Sequence, residues 1–132
     1  METDLLRRHL AEQETIRQNE ERFRHIVELT GDMVFTTDPR GYFTYANDAL
    51  TQSTGFSQDQ FIGRHFTTLV TPERRKVVLG FYLNQIKKRE RETLLEFPII
   101  ISDGSERWVQ QTVTLLRDKE ELTGLQAIVR DV

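Results

Sequence analysis

At 132 residues, with 37% hydrophobic and 30% charged residues, the chain is long enough for one modest core beneath a well-charged surface. Its formal net charge of −3 gives no electrostatic case for binding nucleic acid or an anionic membrane. It contains no cysteine, which excludes disulfides, thiol catalysis, cysteine-ligated zinc, iron–sulfur clusters and thiol-adduct photochemistry.

The polar N-terminus is no signal peptide, and no apolar run approaches the roughly 20 residues that span a bilayer; the cytoplasm is the expected compartment, without membrane insertion. The first segment, "METDLLRRHLAEQETIRQNEERFRHIVELTGD", lacks proline and has glycine only at Gly31. Its Glu, Arg, Gln and Leu content predicts one long helix over residues 1–30, ahead of a domain over residues 31–132. Leu5, His9, Glu12, Ile16, Asn19, Phe23 and Ile26 recur at spacings of four and three, but the seam is broken by polar residues. A small domain cannot bury so long a helix alone, so some self-association is expected. The last turns, through Phe23, Ile26 and Val27, are expected to pack on the domain.

After Gly31 the pattern changes to "MVFTTD", then the turn signal Asp38-Pro39-Arg40-Gly41, then "YFTYA", which predicts two strands joined by a tight turn. From Asn47 to about Arg91 the reading is helical. Asn47 stands before "DALTQST" as an N-cap, Asp48 favours the positive end of the helix dipole, and Gly55 ends the helix in the left-handed conformation. A longer helix is predicted to open at Thr71-Pro72-Glu73, with Thr71 as N-cap and Pro72 at the first helical position. The basic runs Arg74-Arg75-Lys76 and Lys87-Lys88-Arg89 have glutamates beside them and read as solvated helix. Strands return in "TLLEFPIII", "RWVQQTVTLL" and "TGLQAIVRDV", linked by Ser102-Asp103-Gly104-Ser105 and by Asp118-Lys119-Glu120-Glu121. The order predicts an α+β fold: a five-stranded antiparallel sheet with helices gathered on one face.

Alternation assigns Val109, Gln111, Val113 and Leu115, with Leu125, Ala127 and Val129, to the face beneath the helices. The opposite face is still partly apolar, through Trp108, Leu116, Ile128 and Ile100, which marks an interaction surface. Its expected cover is the N-terminal helix or a partner subunit. Gln111 reads either as a hydrogen-bonded core glutamine or as a polar anchor for a small ligand.

Chemistry is harder to find. His9, His25 and His65 lie far apart with no partner at metal-ligand spacing, so no metal site is expected. No phosphate loop, nucleophile elbow or zinc-protease motif occurs, and the paired Glu120-Glu121 falls in a charged turn. The expectation is a domain without catalysis.

Five pieces in order resemble a PAS domain, the sensory module of bacterial signalling proteins: "EERFRHIVELTGDMVF", "TDPRGYFTYAN", "TGF" with "FIGRHFTTLVTPE", "SDGSERWVQ" and "GLQAIVRDV". They cover roughly Glu21 to Val132. The resemblance implies a helical cover over the sheet, a small cavity between them, dimerisation, and signal relay through terminal helices to a kinase-type effector. It aligns Asn47 with the family's capping asparagine and Trp108 with its hairpin tryptophan. Asp131 aligns with the acidic residue that couples the last strand to an output helix. Here the text reads "RDV" and stops, so an excised module or one acting on partners in trans is expected.

The resemblance weakens at the cofactor. The adduct-forming cysteine of light-sensing flavin members is missing, and their final-strand glutamine corresponds to Val129. Haem-binding members carry an axial histidine on the long helix, and "PERRKVVLGFYLNQIKKRE" has none. Non-covalent flavin or a small metabolite stays open. A pocket would be lined by Val34, Thr36, Tyr45, Leu69 and Val78, with Tyr82, Phe97, Ile99, Gln111 and Val113. The dimer interface would combine Leu5, Ile16, Phe23, Ile26 and Val27 with Trp108, Leu116 and Ile128. Two readings follow: a sensory and dimerisation module of a histidine-kinase-type protein, or a ligand-free interaction scaffold with a closed core.

Overall fold

The structure is a computed structural model and describes residues 31–132. The expected leading helix, with Leu5, Ile16, Phe23, Ile26 and Val27, lies outside the described residues. Strands β1 (Met33–Thr37) and β2 (Phe43–Ala46) are followed by α1 (Asp48–Thr54), α2 (Gln58–Phe61) and two single-turn 3₁₀ segments, Phe66–Leu69 and Pro72–Arg74. Helix α3 (Arg75–Lys88) then leads to β3 (Glu92–Ile100), β4 (Glu106–Asp118) and β5 (Glu121–Asp131). The five strands form one sheet in the order β2-β1-β5-β4-β3, with every neighbouring pair antiparallel.

Local chemistry explains the turns. Asp38 Oδ1 accepts from the N–H groups of Arg40 and Tyr42, which folds the β1–β2 connection. Gly55 ends α1 at φ 79°, and a Cβ there would collide with the Ser102 hydroxyl. Thr54 O accepts from Ser102 N–H at 2.9 Å, so α1 and the β3–β4 hairpin approach too closely for a larger residue. Ser57 and Gln60 form a reciprocal capping box at α2.

The long helix starts later than its sequence predicts. Thr71 makes no capping bond through its side chain, Pro72–Arg74 forms a 3₁₀ turn, and α3 opens at Arg75. The cause is tertiary: Thr71 N–H donates to Pro98 O at 3.2 Å and Val70 bridges to Ile99, which ties this stretch to the free edge of β3.

The core lies between α1, α2, α3 and one face of the sheet. Val109, Gln111, Val113, Leu115, Leu125, Ala127 and Val129 are all buried there, with Leu50, Phe61, Val78 and Tyr82 from the helices. Phe35, Phe43, Phe61 and Phe56 make a run of edge-to-face contacts, with successive centroids 4.9, 5.3 and 5.8 Å apart.

Candidate functional site

Between the inner face of the sheet and α3 is a cavity of about 20 Å³. It is lined by Phe35 and Thr37 of β1, Phe66, Tyr82 of α3, Gln111 and Val113 of β4, and Leu125 and Ala127 of β5. Helix α3 brings Tyr82 there because Val78, Tyr82 and Gln85 recur at i, i+4 and i+7 on its buried side. Gln111 faces inward from β4 and donates through Nε2 to the Tyr82 hydroxyl at 3.0 Å. Burial pushes the Tyr82 phenol well above its ordinary pKa, and the Gln111 bond opposes this only in part. The phenol is therefore neutral, able to donate as well as accept. It is no base, and the third polar lining residue, Thr37, spends its hydroxyl on the Asp38 carbonyl at 2.9 Å. The cavity is an apolar space with one hydrogen-bonded pair in its wall.

Of the residues expected to line a pocket, Tyr82, Gln111 and Val113 meet at this cavity. Leu69, Val78, Phe97 and Ile99 are buried in the surrounding core without lining it. Val34, Thr36 and Tyr45, expected at the pocket, instead stand on the other face of the sheet. Val34 pairs with Ile128 and Thr36 with Gln126, whereas Phe35 pairs with Ala127 and Thr37 with Leu125. In "MVFTT" nothing alternates in polarity, and a one-residue choice of register flips every side chain. That choice hides Phe35 and Thr37 from the sequence; Phe66 comes from the 3₁₀ segment, which has no strand alternation to mark it, and Leu125 and Ala127 are legible as inner-face residues.

Neither a flavin nor a haem fits these residues as they stand. Ligand pockets run about 300–1,000 Å³, and this cavity, at about 20 Å³, holds about one water. Helix α3 offers no histidine, and its Tyr82 is held by Gln111. Among the described residues, no group of three His, Asp or Glu side chains could hold a metal ion.

His65 serves the fold. Its Nε2 meets the Arg40 carbonyl at 2.8 Å and must carry the proton, and Nδ1 then accepts from Thr67 N–H at 3.3 Å. The same Nδ1 meets the Thr67 hydroxyl at 2.8 Å. Gln85 is a further buried amide, beside Asn47 and Gln111, and the sequence does not mark it. It donates to Glu90 O and Val113 O at 3.1 and 3.0 Å and accepts from Thr93 Oγ1 at 2.7 Å, locking the end of α3 to β3 and β4.

On the outer face of the sheet, Trp108 is 45% exposed with the Arg74 guanidinium carbon 4.9 Å above its ring. Leu94, 57% exposed, pairs with Thr112 on the same side, and Leu116 and Ile128 are half-buried there. Asp131 is exposed at the end of β5, opposite Val109. Among the described residues, no helix is long and apolar enough to cross a membrane.

A family model described as the PAS fold matches residues 21–132. No curated protein matches the sequence significantly. Among solved structures, a PAS domain from Colwellia psychrerythraea superposes with a TM-score of 0.76 at 18% identity, over 89% of this chain and 97% of that one. A light-oxygen-voltage domain described with a flavin analogue gives 0.72 at 20% identity, over 82% of each chain. A PAS domain from a two-component sensor histidine kinase gives 0.69 at 16% identity, over 88% and 98%.

Proposed function

The chain belongs to the PAS-fold family, and from that premise we propose that it is the sensory and dimerisation module of a cytoplasmic bacterial signal-transduction protein with a kinase-type effector. The observation that carries this reading is the Gln111–Tyr82 bond at the wall of the cavity. It joins the inner face of β4 to the middle of α3, and β4 pairs along its length with β5, which ends at Asp131. A small neutral molecule with one donor or acceptor, admitted as α3 moves off the sheet and enlarges the cavity, would compete for that bond. It would move α3 against the sheet only by binding one arrangement better than the other. The reading assigns no catalysis to the chain, because the cavity offers one neutral phenol and an amide and no base or nucleophile. The outer face, with Trp108, Leu94, Leu116 and Ile128, serves as the dimer surface together with Leu5, Ile16, Phe23, Ile26 and Val27.

The first test is a native mass spectrum and an absorption spectrum of the purified chain, repeated on Ala127→Leu, which fills the cavity. The expected result is a small added mass on the native chain that Ala127→Leu loses. A bare mass for both proteins, with Ala127→Leu more stable, would refute ligand sensing. The small size of the cavity favours that second reading, a ligand-free scaffold with a closed core. Light scattering before and after removal of residues 1–18 tests dimerisation, and an unchanged mass per particle would remove the leading segment from that role.

A further inference from the structure

We propose that the outward face of α3 is a docking surface for an acidic amphipathic helix of a partner protein, separate from both the cavity and the outer face of the sheet. With Val78, Tyr82 and Gln85 turned inward, the opposite side of a surface helix is expected to be polar. Instead Val77 and Leu83 are 71% and 56% exposed, and Gly80 is exposed between them. At about 3.6 residues per turn, successive spacings of three put Gly80 in the middle of the outward side, with Val77 and Leu83 flanking it about 120° apart around the axis. Glycine is, after proline, the poorest residue for a helix interior. A Cβ built on Gly80 would meet nothing within 4 Å, so no contact within the described fold asks for glycine there. A glycine between two exposed apolar side chains is what the close approach of a second helix requires, since the separation of packed helices is set by the side chains at the contact.

Charge identifies the partner. Helix α3 carries Arg75, Lys76, Lys87 and Lys88 and no carboxylate, in a chain of net charge −3. Arg75 is turned back onto the Val70 carbonyl at 3.0 Å, and Arg89, just beyond the helix, is paired with Glu120 at 3.1 Å. The three lysines are exposed. Lys76, Gly80, Leu83 and Lys87 follow at i, i+4, i+7 and i+11 and form one row, with Val77, Asn84 and Lys88 in the row beside it. The row spans about 16 Å at about 1.5 Å per residue: a small apolar centre with a cation at each end. The helix dipole accounts for Lys87 and Lys88 in the last turn but disfavours Lys76 in the first. The complement is a helix with an apolar seam and carboxylates about 11 residues apart. A second copy of α3 would bring lysine against lysine, which argues for a different chain as occupant.

The test titrates the full chain, labelled for amide NMR, with a synthetic helical peptide of about 15 residues carrying a leucine seam and glutamates at both ends. A second peptide has lysine for each glutamate. The acidic peptide should shift the α3 amides around Gly80, and the basic one should not. Leu83→Glu should weaken binding about tenfold. Gly80→Ala should raise the melting temperature while weakening binding, a pairing of signs that a purely structural role would not produce. The proposal is overturned if the acidic peptide leaves α3 unshifted or binds Leu83→Glu equally well. It is also overturned if both peptides bind alike, or if Gly80→Ala gains stability at unchanged affinity. Self-association of the chain that Leu83→Glu abolishes would assign the face to a second copy and equally overturn it.

Discussion

Replacing Asn47 with alanine tests the physical account of the strand-to-helix junction most directly. The side chain is 2% exposed and makes three bonds. Its Oδ1 accepts from Leu50 N–H and from Val34 N–H, each at 3.0 Å, and its Nδ2 donates to the Asp32 carbonyl at 2.8 Å. Its backbone N–H donates to Val34 O at 2.9 Å, so Asn47 extends the β1–β2 ladder by one rung with its own amide. Loss of a helix cap costs about 1 kcal/mol. The Val34 amide, left buried without a partner, adds about 1–3 kcal/mol. Asp32 is half-buried, and water can serve its carbonyl. Asn47→Ala should therefore destabilise by about 2–4 kcal/mol, two or more times what a cap alone would lose. With a urea slope of about 2 kcal/mol per molar, the unfolding midpoint of the full chain should fall by about 1–2 M. Asn47→Ser should recover the cap but not the reach to Val34, and so only part of the loss. If Asn47→Ala costs no more than about 1 kcal/mol, or Asn47→Ser restores the native midpoint, the ladder role is wrong.

Other perturbations separate the remaining contacts. Gln111→Leu and Tyr82→Phe should each destabilise by about 1–3 kcal/mol, because each leaves its partner buried and unpaired. The double variant should cost less than the sum in a urea double-mutant cycle. Because burial holds the folded Tyr82 phenol above its unfolded value of about 10, the folded state keeps a proton that the unfolded state gives up above that pH. This contribution to stability is complete below about pH 10 and is lost as pH rises further. Tyr82→Phe should flatten the alkaline slope of unfolding free energy. Gly55→Ala should cost about 1–2 kcal/mol from its left-handed backbone alone, with a further loss from Ser102 that Ser102→Ala partly returns, read from thermal unfolding. Gln85→Met, which keeps volume but leaves Thr93 and two carbonyls without this partner, should lower stability by about 2 kcal/mol in urea.

Much of the fold was legible because its signals are local or strongly periodic. Strands β4 and β5 alternate cleanly, so their inner residues could be assigned before any partner was known. The candidate site was less legible. Tyr82, Gln111 and Val113 were expected at a pocket and meet there, but β1 was turned the wrong way. A strand of five residues that are all apolar or β-branched carries no mark of which side is inward. Gln85 reads as an ordinary polar helix residue until the ends of β3 and β4 are brought against it. The same holds for Thr71, whose expected cap gives way to a tether on Pro98, twenty-seven positions along the chain.

The sequence by itself determined where the chain turns, the order of its strands and main helices, that it carries no thiol, and that Asn47 caps a helix. These depend on backbone preferences and on side chains within a few residues of one another. Tertiary structure alone decided which face of β1 meets the cavity, how small that cavity is, and which amides are spent on locking elements together. It also decided which side of α3 faces out, leaving Val77, Gly80 and Leu83 exposed in a frame of lysines. The physical reason is common to all of these: burial and hydrogen-bond pairing are set by segments distant in sequence, and register across a sheet decides them one residue at a time.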